Sequence, residues 1–143
     1  MEKIKIIEKI KNNSLTVKDI KDFLELVKEL GNQNEEIQAE IKDFNTTFQF
    51  NTIDGPSYWL KFGENKITYG EGQVENPEVV FSMGAETILK LFAGDMDPTK
   101  EYLDGNLKIA GPIPKAIKLR VILEMIREDL EAEFQNNHKN NNK

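Results

Sequence analysis

Phe44-Asn45-Thr46-Thr47-Phe48-Gln49-Phe50-Asn51, then Asp54-Gly55-Pro56, then Tyr58-Trp59-Leu60-Lys61-Phe62: across this stretch the hydrophobic period is two. Phe44, Phe48 and Phe50 fall on one face of an extended chain, with Thr47, Gln49 and Asn51 on the other, because successive side chains of a strand point to opposite sides. Asp54-Gly55-Pro56 is a turn, since Gly tolerates positive φ and Pro cannot continue a hydrogen-bonded ladder. Tyr58, Leu60 and Phe62 then alternate with Trp59 and Lys61. Trp59 cannot share their face, so the sequence predicts apolar material on both sides of the sheet near this strand. Gly63-Glu64-Asn65 turns the chain into Lys66–Gly72, and a loop through Asn76-Pro77 leads to Val79–Met83. Consecutive strands joined by short turns predict an antiparallel meander.

Outward from this block the spacing becomes helical. Residues 1–43 read as a helical segment. Ile4, Ile7 and Ile10 recur three apart, and a second helix carries Val17, Ile20, Phe23, Leu24, Val27 and Leu30 as one apolar stripe. Thr16 suits its N-cap and Gly31 its left-handed exit. Asn32 to Asp43 adds a short helix with Ile37 and Ile41. Beyond the strands, Ala85 to Ala93 is helical and stops at Gly94, and Asp97-Pro98 caps and starts another short helix through Leu103. Asp104-Gly105 turns into a fifth strand with Leu107 and Ile109 on one face. Gly111-Pro112-Ile113-Pro114 breaks it, and a long helix follows from about Lys115 to Phe134. Helices, four strands, two helices, a strand and a helix in that order define an α+β layer arrangement. Residues 1–134 make a single domain, and 135–143, with nothing to bury, are expected to be a disordered tail.

The chain has 143 residues, a length that fits one domain with a core of its own. With no cysteine it has no disulfide framework, thiolate metal site or cysteine nucleophile, and a reducing compartment, the cytoplasm, is the expected setting. Lys plus Arg is 19 against 25 Asp plus Glu, a formal charge of −6, which argues against nucleic acid as a partner. No apolar run reaches the ~20 residues that span a bilayer. The lysines among the first isoleucines leave no secretory h-region.

Catalytic chemistry has little to work with. His138, the sole histidine, stands in the polar tail, where nothing orients it as a base. Ser14, Ser57 and Ser82 lack a nucleophile-elbow context, and Gly70-Glu71-Gly72 leads into a polar loop rather than a helix N-terminus, unlike a dinucleotide fingerprint. Glu128, Asp129, Glu131 and Glu133 spread around a helix instead of converging on a metal. Neither a cofactor, a metal site nor a catalytic residue is expected, and the protein is read as a non-enzyme.

The last helix carries more hydrophobic surface than docking requires. Leu119, Ile122, Leu123, Ile126 and Leu130 form one stripe, and Ile117, Val121 and Met125 form a second, nearly opposite. A helix apolar on two sides must be covered on two sides. The N-terminal helices, a ligand, a membrane or a partner chain can supply the second cover. Phe81, Met83, Ile88, Leu91, Phe92 and Met96 carry the same ambiguity between core and ligand wall.

From about Thr46 to Leu119 the sequence resembles the sterol carrier protein type-2 family of sterol-transfer domains. The residues that carry the likeness are Asn76-Pro77-Glu78-Val79-Val80-Phe81-Ser82-Met83, Ala85-Glu86, Leu91-Phe92-Ala93-Gly94, Met96-Asp97-Pro98-Thr99-Lys100, Gly105-Asn106-Leu107-Lys108-Ile109-Ala110-Gly111 and Lys115-Ala116-Ile117-Lys118-Leu119. The resemblance implies a five-stranded, mostly antiparallel sheet covered by helices. It also implies an apolar tunnel for fatty acyl, acyl-CoA, isoprenoid or sterol-like ligands. Extra N-terminal helices and the long C-terminal helix depart from it, and that helix can cap the tunnel or fill it. The expected lipid-binding residues are Phe81, Ile88, Leu91, Phe92, Met96, Ile117, Val121 and Met125. About fourteen buried methylenes at ~0.8 kcal/mol each supply ~11 kcal/mol, enough to outweigh the ordering cost. A pocket of roughly 300–1,000 Å³ is expected. The alternative is a protein-interaction or accessory subunit whose apolar last helix forms a homodimer or partner surface. Residues 1–11, basic with few isoleucines, allow at most weak peripheral membrane contact.

Overall fold

The structure, a computed structural model, describes the backbone of residues 2–141 and the side chains of residues 5–133 and 135. Helix α1 (Glu2–Lys11), a 3-10 turn (Val17–Asp19), α2 (Ile20–Gln33) and α3 (Glu35–Ile41) precede strands β1 (Thr46–Thr52), β2 (Tyr58–Gly63), β3 (Lys66–Glu71) and β4 (Val79–Met83). Then follow α4 (Ala85–Ala93), α5 (Pro98–Leu103), β5 (Leu107–Ala110) and α6 (Ile113–Asn141). This is an α+β fold on one five-stranded sheet of order β3-β2-β1-β4-β5.

Three of the four strand pairings are antiparallel, and β1 with β4 is parallel. The simple meander predicted for the first four strands therefore stops at β3. From there the chain returns over two strands and lays β4 against the far side of β1. Gln49 holds this return. It alternates with Phe48 and Phe50, yet its side chain is buried: Nε2 donates to the carbonyls of Tyr58 (3.1 Å) and Gly72 (3.0 Å), and Oε1 accepts from Val74 N (2.9 Å). Gln73 Nε2 adds a bond to Asn51 Oδ1, on the same face, and Glu78 N donates to Thr47 O. The loop is thus stitched across the outer face by side chains whose local pattern shows only that they point outward.

The inner face is the core. Register places Phe48 beside Leu60 and Val79, Phe50 beside Tyr58 and Phe81, and Phe81 beside Ile109. The rings continue past the sheet: Phe50 packs on Phe81 (5.3 Å) and edge-on to Phe92 (5.5 Å), and Phe92 stacks on Phe23 of α2 (5.0 Å). Such contacts add to the burial energy of each ring. Phe44 precedes the strand proper, but its ring still meets Phe48 and Phe62. The outer face, by contrast, presents mainly Thr47, Asn51, Lys61, Thr68, Ser82 and Lys108. Trp59 lies there over Gly70, where a Cβ would stand 2.5 Å from the indole, and register puts it in one outer-face row with Gln49 and with Val80 and Ala110, the apolar material on this side near the strand.

Packing also revises two helix ends. Gly31 is not a C-cap, because α2 continues to Gln33; it lets the helix approach β3, and a Cβ there would lie 2.2 Å from Ile67 Cδ1. Beside it Asn32 bonds Ile67 N (2.9 Å) and Ile67 O (3.2 Å), satisfying backbone groups of the edge strand. At the other end, α6 extends to Asn141, so the tail predicted to be disordered is helical through that residue; Asn142 and Lys143 lie outside the described residues. No Gly or Pro follows Phe134 to stop a helix already propagating. In α1 the buried side chains are Ile6 and Ile7, with Ile10 packed beside them; Ile4 is outside the described side chains. Lys9 Nζ bonds Asp19 Oδ1 at 2.7 Å and ties α1 to the turn before α2.

Candidate functional site

Leu119, Ile122, Leu123, Ile126 and Leu130, the first stripe of α6, are all buried. The second stripe stays largely uncovered: Ile117 is 56% and Val121 39% exposed, with Ile113 one turn earlier 44% exposed. Helices α1, α2 and α3 all contact α6. Helix α3 also reaches Met125, the last residue of the second stripe, so the uncovered side is confined to the first turns, at Ile113, Ile117 and Val121.

That side borders an apolar groove of about 250 Å³. Its floor is the β4–β5 end of the inner sheet face, where Phe81, Leu107 and Ile109 emerge together because Phe81 pairs with Ile109. Leu91 of α4 and Pro98, Thr99 and Tyr102 of α5 form one wall; Ile113, Ala116, Ile117, Leu119, Arg120 and Leu123 of α6 form the other.

Local chemistry sets each wall. Asp54 Oδ1 accepts from Ala85 N (2.8 Å) at the start of α4, and Gly94 ends that helix at φ +75°, a left-handed conformation that glycine adopts without strain. Asp97 caps α5 through Thr99 N (3.0 Å), with Pro98 at its first turn. Gly111 lets the exit of β5 pass close to β4, since a Cβ there would meet Glu78 O at 2.3 Å. The Lys115–Glu78 ion pair then pins the first turn of α6 beside the same strand.

The groove contains only three polar side chains, Thr99, Tyr102 and Arg120. Larger recesses of about 380 and 460 Å³ exist, but Lys11, Glu124, Glu128 and Glu131 line one, and Glu35, Glu36, Glu128 and Asp129 another. Charged walls hold water, so the smaller groove is the better apolar site. Elsewhere, burial first and then the Glu25 contact (2.5 Å) push the Tyr69 hydroxyl up to about 12; that pair ties β3 to α2 and lies outside the groove. Among the described residues no cluster of three His, Cys, Asp or Glu could hold a metal ion, and His138 is outside the described side chains.

Of the eight residues predicted as lipid walls, Phe81, Leu91 and Ile117 line the groove together. Met96 lines an adjoining recess of about 120 Å³. Ile88 and Phe92 are wholly buried, and Phe92 is consumed by the Phe23 and Phe50 stack, so they support the core from behind. Val121 faces solvent, and Met125 turns toward α3 beside Asn34 and Ile37. Sequence reasoning missed Leu107 and Ile109, whose alternation it had read, and Leu119 and Leu123, which it assigned to docking alone. Arg120 carried no signal.

Fold and groove together define an α+β domain with an apolar trough at one end of a half-covered sheet. The chain belongs to the SCP-2 sterol transfer family, whose sequence model matches residues 24–124, and membership implies lipid binding or transfer. It is similar to hydroxysteroid dehydrogenase-like protein 2 of Rattus norvegicus, 36% identical over 78 residues, which is 53% of this chain and 15% of that protein. The chain spans a fifth or less of the curated relatives of that name. Its fold is shared with a sterol carrier protein domain of Helicoverpa armigera (TM-score 0.61, 20% identity, 75% of this chain and 87% of that one). The apo sterol carrier protein 2 of Yarrowia lipolytica is also similar (TM-score 0.60, 19% identity, 73% of this chain and 88% of that one). No described helix is long and apolar enough to cross a membrane.

Proposed function

We propose that this domain binds the alkyl chain of a fatty acyl or similar lipid in the groove between β4–β5, α4–α5 and the first turns of α6, without performing chemistry on it. The observation that carries this reading is the groove itself, apolar on its floor and both walls and open past Ile113, Ile117 and Tyr102, which are 44%, 56% and 47% exposed. At about 250 Å³ it is a little smaller than the ~300–1,000 Å³ of typical ligand sites. Helix α5 is the wall that yields to a longer chain, because it contributes no buried side chain. The lining supports a carrier rather than an enzyme, since its polar groups include no paired acid and base.

Native mass spectrometry of the purified protein, with displacement of a fluorescent fatty acid, tests this. A bound acyl guest or competition in the micromolar range is expected. No apolar ligand bound at about 100 μM, equivalent to about −5.5 kcal/mol, overturns it.

A second reading has one observation in its favour. Ile113, Ile117 and Val121 form an exposed apolar line along α6, as a surface for a partner chain does. Val121 lies outside the groove, so Val121→Asp separates the two readings. Under the carrier reading the variant keeps its ligand; under the partner reading light scattering detects an oligomer that the variant dissociates.

A further inference from the structure

The large apolar side chains that α5 and α6 leave in water are gathered at one place. Leu103, 76% exposed, and Tyr102 end α5; Ile113, Ile117 and Val121 run along the first turns of α6. Among the described residues Ile53, just beyond β1, is the one other large hydrophobic so exposed. Tyr102, Ile113 and Ile117 line the groove, with Leu103 next to the first and Val121 one turn beyond the last, so the five form a rim around its mouth rather than scattered points. We propose that this rim is a docking surface for a lipid bilayer, entered by its apolar side chains and independent of lipid charge.

Area and charge decide what covers the rim. The five side chains leave on the order of 500 Å² of apolar surface in water, a patch of the size that marks contact sites. A stable protein interface needs roughly 800 Å² on each partner, with a complementary surface facing it. A bilayer needs no such counterpart, because its acyl boundary takes up apolar groups of any shape. Tyr102 suits that boundary, with an apolar ring and a hydroxyl that stays among the headgroups. The neighbouring cations are already balanced. Lys115 pairs with Glu78 and Lys118 with Glu40, while Glu101 and Asp104 offset Lys100 and Lys108, and Glu124 offsets Arg120 one turn earlier. Without a cationic surplus the rim has no electrostatic demand for anionic lipid, and its apolar area alone drives the contact.

Such a contact gives the open mouth a use. With the rim at the acyl boundary, the groove between α5 and α6 opens toward the bilayer instead of toward water, and a chain passes between the two without crossing solvent. Helix α5, which buries no side chain of its own, is the element that can tilt as it does so. That use rests on the carrier reading; the contact itself does not.

Flotation of the full chain with phosphatidylcholine vesicles tests it. The native protein is expected to float with these uncharged vesicles, and replacing about a third of the lipid by phosphatidylserine should change the bound fraction less than about threefold. Leu103→Asp with Val121→Asp, both outside the groove lining, should reduce partitioning at least about tenfold while displacement of a fluorescent fatty acid in solution stays as in the native protein. Both positions are exposed, so folding is not at risk. Lys5→Gln, at an exposed position of α1, should float as the native protein does. No flotation, flotation only with phosphatidylserine, or flotation that the double variant retains overturns the docking surface while the carrier reading stands. Light scattering that finds a dimer which the double variant dissociates overturns it as well, for then a second copy covers the rim. A fatty acid that neither protein binds overturns the carrier reading alone, and flotation still decides the contact.

Discussion

Ala116 offers the sharpest test of the groove. It is half-buried on the α6 wall, opposite Phe81 and Ile109, and its methyl faces about 250 Å³ of space rather than packed side chains. In Ala116→Phe a ring enters that space and displaces about three methylenes of any bound chain. At ~0.8 kcal/mol each, the loss is ~2.4 kcal/mol, or about 50-fold in affinity. The ring need not invade the packed core, so the ~1–3 kcal/mol cost of overpacking should be avoided and the melting temperature should hold. The assay is displacement of a fluorescent fatty acid by saturated acids of increasing length. In the native protein affinity should climb with each methylene until the groove is full; in the variant the plateau should arrive at a shorter chain and the longest acids should lose the most. Ile109→Phe, from the sheet side, should behave alike and guards against an unforeseen folding defect at one position. An Ala116→Phe protein that melts normally and binds every chain length as the native protein does would refute the groove as the binding site.

Gly31→Ala should destabilise by about 1–2 kcal/mol in urea titrations although Ala favours helix by ~1 kcal/mol, because its methyl meets the wholly buried Ile67 Cδ1. Adding Ile67→Val, which deletes that atom, should recover part of the loss; a more stable Gly31→Ala single variant would contradict the close approach. Gln49→Ala should cost about 2–3 kcal/mol by orphaning two carbonyls and the Val74 amide, with faster amide exchange concentrated in residues 72–78. Uniform exchange along the chain would mean that other contacts hold the return loop. Burial acts to raise the Asp19 pKa, but hydrogen bonds from Lys9 and Thr16 outweigh it and hold the carboxyl below its usual value. A lowered folded-state pKa adds stability that is present above the unfolded value of about 3.9 and lost as pH falls through the folded one. Asp19→Asn should therefore lower the melting temperature at pH 7 and shrink the acid-side loss below about pH 4. Parallel acid profiles for the two proteins would remove Asp19 from that account.

Much of this fold is written in local patterns. Alternation in Tyr58–Phe62, Val79–Met83 and Leu107–Ile109 marks strands wherever they end up. Gly94, Asp97 and Pro98 end and start helices through their own backbone chemistry, and the structure uses all three that way. The apolar stripe Leu119–Leu130 likewise docks as its spacing demands. Of the residues expected on an apolar wall, Phe81, Leu91 and Ile117 line the groove between the β4–β5 end of the sheet, α4–α5 and the last helix.

Tertiary structure alone decided the rest. Local alternation says that a strand has an inner face but not which strand lies beside it. β4 joins β1 because Gln49, Asn51 and Thr47 hold the returning loop across the sheet, contacts between residues far apart in sequence. Core and groove wall are equally apolar, so periodicity cannot separate Phe92, closed between two rings, from Ile109, half-buried at the groove. Arg120 and Arg127 read as ordinary helix-surface cations until α4 and α5 close a recess around them. Burial and confinement are properties of three-dimensional neighbours, and a one-dimensional period carries only the side on which those neighbours will be found.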